Sequence, residues 1–122
     1  KLLGEEHLET LRAANNCAFN LTDLKRFEEA KALMSEMVPV VRRVLGESHE
    51  LMLRMRWGYA RALYENPGAT LDDLREAVTT LEDADRIARR VLGGAHPMTL
   101  AIEETLRAVR AALRARDTPG SA

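Results

Sequence analysis

The stretch Leu45-Gly46-Glu47-Ser48-His49 decides how this chain is read, because the same frame stands earlier as Leu3-Gly4-Glu5-Glu6-His7 and later as Leu92-Gly93-Gly94-Ala95-His96. The three first glycines are 42 and 47 residues apart, so an internal repeat organises the sequence. The spacing from Ala30 to Gly46 equals that from Ala77 to Gly93, which confines the extra five residues of the second unit to the region of Glu65-Asn66-Pro67-Gly68-Ala69-Thr70. Asn-Pro-Gly marks a loop there, and Thr70 with Asp73 reads as a capping box for the helix that follows.

Within each unit the apolar period is helical, twice. Phe27, Ala30, Met34, Met37, Val41 and Val44 step by three and four, and Leu74, Ala77, Leu81, Ala84, Ala88 and Val91 repeat that stepping. These are second helices. First helices run roughly from Leu8 to Leu24 and from Leu51 to Glu65, and a fifth helix runs from about Pro97 to Ala115. Glycines 4, 46 and 93 suit left-handed helix C-caps, the pairs Arg42-Arg43 and Arg89-Arg90 suit the negative ends of helix dipoles, and Pro97 suits a first helical position. Pro39 removes a backbone donor inside a helix, which predicts a kink near Val38 with the ring toward solvent. The fold is therefore all-α, with five helices in two repeats and a remainder.

Composition agrees. The 122 residues are 46% hydrophobic and 30% charged but only 4% aromatic, which fits one helical domain and excludes an all-β fold. A formal net charge of -1 gives no global positive field for a nucleic acid or an anionic membrane. No apolar run is long enough to span a bilayer, and no signal-peptide pattern opens the chain. One cysteine makes neither an internal disulfide nor a thiolate zinc site, so a reducing, cytoplasmic setting is expected. Lys1-Leu2-Leu3 reads as the tail of an earlier element, so a piece of a longer protein is expected.

Small residues at equivalent places, Ala18 and Ala60 on first helices and Ala30 and Ala77 on second helices, let paired helices approach closely. Cys17, Leu21, Tyr59 and Leu63 are expected to fill the space around them. In the fifth helix the places of Ala18 and Leu21 are taken by Arg107 and Arg110, which cannot be buried without partners. The fifth helix is thus read as a solvating cap.

The run LGEEHLETLRAANNCAFNLTDLKRFEEA, with LGESH and LGGAHPMTL after it, resembles the 42-residue tetratricopeptide repeats of kinesin light chains and their relatives. The resemblance spans residues 3 to about 115 and implies a helix-turn-helix solenoid: repeat one over 3–44, repeat two over 45–91, a capping helix over 97–115, one domain over 1–116, and a disordered tail over 117–122. Repeat two departs from the pattern in carrying Trp57-Gly58 where repeat one has Asn15-Asn16, and in its insertion.

The resemblance implies that first helices line a concave groove, at Arg12, Asn15, Phe19, Thr22 and Asp23 in repeat one and at Arg54, Trp57, Arg61, Tyr64 and Glu65 in repeat two. Trp57, Arg61 and Tyr64 share one helix face and combine aromatic planes with a guanidinium, as peptide-binding hot spots do. With Arg12 and Arg54 the surface suits an extended or short helical peptide carrying an acidic and an aromatic residue. Trp57 and Tyr64 have a second reading, as core residues shielding the insertion.

Catalytic, metal and cofactor chemistry finds no footing. Three histidines one repeat apart cannot converge on an ion within about 2 Å of each ligand, and they read as helix-start residues. Cys17 lies on an apolar face where a thiol is inert packing. Neighbouring carboxylates such as Asp72-Asp73 and Glu82-Asp83 diverge on a helix, and Gly93-Gly94 lacks the strand, Lys and Ser/Thr of a phosphate loop. Arg107, Arg110 and Arg114 make a stripe with no interleaved aromatic residue, which argues against nucleic acid. The expected function is a non-enzymatic scaffold for a protein or peptide, with neither nucleic acid nor membrane as partner. The alternative is a spacer or a self-association module, dimerising through a first-helix edge at Leu8 and Leu11 that no preceding helix covers.

Overall fold

The computed structural model describes residues 2–117, with side chains described from Leu8 to Arg116. Five helices follow in order, α1 (Leu2–Asp23), α2 (Phe27–Leu45), α3 (Glu50–Glu65), α4 (Leu71–Val91) and α5 (Pro97–Asp117), and no strand occurs among the described residues. Each packs on the next, and α1 also meets α3 as α3 meets α5. That pattern is a stack of helix pairs in which first helices line one side.

Local chemistry sets the boundaries. Thr70 and Asp73 form the reciprocal capping box expected at the start of α4, with both hydrogen bonds at 3.0 Å. The end of α2 falls at Gly46 with φ +92 and ψ 166, a region open only to glycine, and Gly93 after α4 has φ +94. Both are glycine positions as expected, though Gly46 is extended rather than left-handed helical. Between α1 and α2 the left-handed residue is Lys25, at φ +64. Its N–H donates to the Thr22 carbonyl and the Arg26 N–H donates to the Leu21 carbonyl, so a lysine occupies the place where glycine usually closes this motif. Pro39 faces solvent inside α2, which continues through it to Leu45.

The core forms two clusters. One gathers Leu11, Ala18, Ala30, Met34, Val41, Met52 and Met55, and the other gathers Ala60, Leu63, Leu74, Ala77, Leu81, Ile102 and Val109. Ala18, Ala30, Ala60 and Ala77 are completely buried, as close helix approach requires.

Five expectations are corrected. Gly4 does not cap a helix, since α1 already runs through it from Leu2, and a C-cap needs a helix ending at that point. His7 therefore lies inside α1, while His49 and His96 do open helices. Cys17 is exposed rather than packed around Ala18, because it sits about 100° away from Ala18 around the helix. Leu11 is only 2% exposed and Leu8 packs against the same cluster, so these two leucines turn toward α2 and α3 rather than standing uncovered at an edge. Asp117 belongs to α5, and the remainder of the expected tail, 118–122, lies outside the described residues.

Candidate functional site

Along the side built by the first helices, two depressions meet. The first, about 320 Å³, is lined by Arg12, Asn15 and Asn16 of α1 and by His49, Glu50, Leu51 and Arg54 at the start of α3. The second, about 390 Å³, shares Glu50 and Arg54 and continues past Trp57 to His96, Pro97, Met98 and Ala101 at the start of α5. Together they make one channel crossing α1, α3 and α5.

The histidines shape its floor. Leu51 N–H donates to His49 Nδ1 and Met98 N–H donates to His96 Nδ1, each at 3.0 Å, so both imidazoles cap their own helices. Their spacing in the Leu-Gly-x-x-His frame places one ring at each helix start. Among the described residues no three His, Cys, Asp or Glu side chains stand close enough to share a metal.

Asn15 is the anomaly. It is 1% exposed, yet its Oδ1 has no hydrogen-bond partner and the residue lines the first depression. Orphaned buried acceptors cost about 1–3 kcal/mol, so natural structures rarely keep them. Arg12 beside it is exposed, and Arg54 across the channel pairs with Glu50 at 3.0 Å. The first depression is thus lined both by two arginines and by a residue whose buried acceptor is orphaned.

Farther along α3 the side chains pack on one another. The Trp57 ring meets Phe19 edge to face with centroids 5.7 Å apart, Arg61 lies 5.5 Å from the Trp57 centroid, and the indole N–H donates to Thr105 Oγ1 at 2.9 Å. Arg61 is also held by Glu65 at 2.8 Å and by Asp23 at 3.7 Å. The Glu65 hydrogen bonds raise its pKa first, against the opposing effect of burial, and secure its charge. Thr22 is buried, with its hydroxyl donated to the Ala18 carbonyl at 3.1 Å. Tyr64 is half-buried against the second core cluster.

The ten groove positions therefore divide, with Asp23 and Glu65 holding Arg61 and lining neither depression. Arg12, Asn15, Arg54 and Trp57 line the channel, Phe19 and Arg61 support Trp57, and Thr22 and Tyr64 line neither depression. Asn16, Glu50 and the first turn of α5 belong to the channel but were missed. Repeat register was the available signal, since His96 repeats His49 and Ala101 stands one turn after Pro97 on the same side.

Residues 10–50 match the family model of the tetratricopeptide repeat. A tetratricopeptide repeat thus lies over α1 and α2, and the five-helix all-α architecture is consistent with a helical repeat of this kind, which generally serves protein–protein interaction and is typically a non-enzymatic scaffold. Neither the curated proteins nor the solved structures yield a match to this chain. No helix among the described residues is long and apolar enough to cross a membrane.

Proposed function

We propose that the channel across α1, α3 and α5 holds a peptide of a partner protein, carrying an acidic and an aromatic residue. The observation that carries this reading is Asn15, whose buried Oδ1 has no partner inside the chain and which lines a depression of about 320 Å³. A peptide N–H supplies the missing donor. Arg12 and Arg54 supply charge-assisted hydrogen bonds for a carboxylate, with Arg54 exchanging its exposed Glu50 partner, an interaction worth about 1 kcal/mol or less. Trp57 and Met98 offer the apolar wall for an aromatic ring. The chain acts as a binding scaffold in the cytoplasm, and no step of this function requires a cofactor.

The test is a selection from a random displayed-peptide library against the folded chain. Enrichment of acidic, aromatic sequences that bind wild type and not Arg12→Glu/Arg54→Glu supports the reading. Enriched peptides that bind that variant equally well contradict it.

A further inference from the structure

A second surface lies on α5, away from Asn15. One repeat forward takes Ala18 to Ala60 and a second takes it to Arg107, just as Leu21 passes through Leu63 to Arg110. Ala18 and Ala60 are fully buried, in the same clusters as Ala30 and Ala77 of the helices seated beside them. The Arg107 face of α5 therefore stands in the repeat register of the faces on which α2 and α4 are seated. Its chemistry differs. Arg107 has 70% of its side chain exposed, and Leu100, the counterpart of fully buried Leu53, is 49% exposed.

The trough beside this face, about 300 Å³, is lined by Asp85 and Arg89 of α4 and by Glu103, Leu106, Arg107, Arg110 and Arg114 of α5. Guanidiniums outnumber carboxylates there, within a chain whose net charge is -1. The pairs among them are exposed and exchangeable, including Arg110 with Glu82 at 2.8 Å, Arg107 with Glu103 at 3.7 Å, and Arg89 with both Asp85 and Glu103 at 3.0 Å.

We propose that this trough docks an acidic amphipathic helix of a partner protein. The helical form follows from the register, since the equivalent faces of α1 and α3 receive the helices α2 and α4. The acidic character follows from the arginines, which lose hydration on contact and need carboxylates opposite them. Leu100 at the start of the same face meets an apolar residue of the incoming helix. The seats inside the chain are lined with alanine and permit permanent close packing. A seat of arginines suits a reversible partner instead, with association that weakens as salt rises.

The experiment titrates the labelled chain with a stapled helical peptide bearing glutamates on one face beside leucines, and with its lysine twin. The glutamate peptide is expected to bind, more weakly at high salt, and Arg107→Glu/Arg110→Glu is expected to weaken it at least about tenfold. Arg107→Gln/Arg110→Gln serves if charge reversal lowers helicity. Arg12→Glu/Arg54→Glu is expected to leave this affinity unchanged, which separates the trough from the channel. Equal binding of the lysine twin, or indifference to both arginine variants, overturns the proposal. So does a chain dimer dissolved by Arg107→Glu/Arg110→Glu, which makes the occupant a second copy, or displacement of the peptide by single-stranded RNA.

Discussion

Phe19 of α1 occupies the space that a side chain at Gly58 of α3 would need: a Cβ built on Gly58 lies 2.2 Å from Phe19 Cε1, with Met34 Sδ at 3.1 Å. The same Phe19 ring stands edge-on to Trp57, so the glycine lets α1 bring its aromatic residue against the next one along α3. The Trp57-Gly58 pair, which interrupts the repeat pattern, is one packing device.

Gly58→Ala is expected to lower stability by about 1–3 kcal/mol, because overpacking against the ring outweighs the helix propensity that alanine adds. Urea denaturation of the single variant and of Phe19→Leu/Gly58→Ala checks this. The double variant should lose less than the sum of its parts, since removing the ring relieves the clash.

Lys25→Gly is expected to raise stability by about 1 kcal/mol, seen as a higher midpoint of thermal unfolding. Lys25 adopts φ +64 at the close of α1, a conformation that strains any residue with a Cβ. A fall in the midpoint would show that the Lys25 side chain outweighs its backbone strain.

Thr99 is completely buried and its Oγ1 has no hydrogen-bond partner, while Met52 fills the equivalent place one repeat earlier. Thr99→Val should therefore stabilise the chain by about 1 kcal/mol and leave peptide binding intact. Asn15 carries the same kind of orphan acceptor, but at the channel. Asn15→Leu should stabilise as well and should abolish binding, so one pair of variants distinguishes a packing defect from a binding group.

Acid should loosen the start of α4 first. The backbone hydrogen bond from Thr70 is the main cause holding the Asp73 carboxyl below its ordinary value of 3.8, with nearby Lys31 assisting against partial burial. A depressed carboxylate stabilises the fold above its unfolded pKa and loses that contribution as pH falls through 3.8 and below. Asp73→Ala should flatten the dependence of the unfolding midpoint between about pH 5 and pH 3, without matching wild-type stability at neutral pH. An unchanged pH profile in that variant assigns the acid response to other carboxylates, among them Asp83, which its hydrogen bond from Arg86 holds low.

The repeat was legible because it is written in local chemistry. Glycine at 46 and 93, histidine three residues later, the Thr70 capping box and alanines at fixed places each act within a turn or two of helix. What escaped depends on rotation and on distance along the chain. Helical period shows that Leu11 and Cys17 lie on an apolar-looking helix but not which of them turns inward, and the structure buries Leu11 and exposes Cys17. The partner of the Trp57 indole, Thr105, lies 48 residues away, and no spacing rule joins them. The end of α1 at Asp23 fell within one residue of the expected Leu24, although Lys25 stands where glycine usually announces such an end. The orphan acceptor of Asn15 was invisible for a further reason, since a helix position carries no information about which hydrogen bonds its side chain leaves unmade.

The central measurement is an NMR titration of the isotope-labelled chain with a peptide recovered by selection, following the side-chain amide of Asn15. The expected result is a saturable shift of that amide together with Arg12, Arg54, the Trp57 indole and the backbone of Ala101. Shifts confined to other faces, with the Asn15 amide unmoved at saturation, contradict the channel as the binding surface.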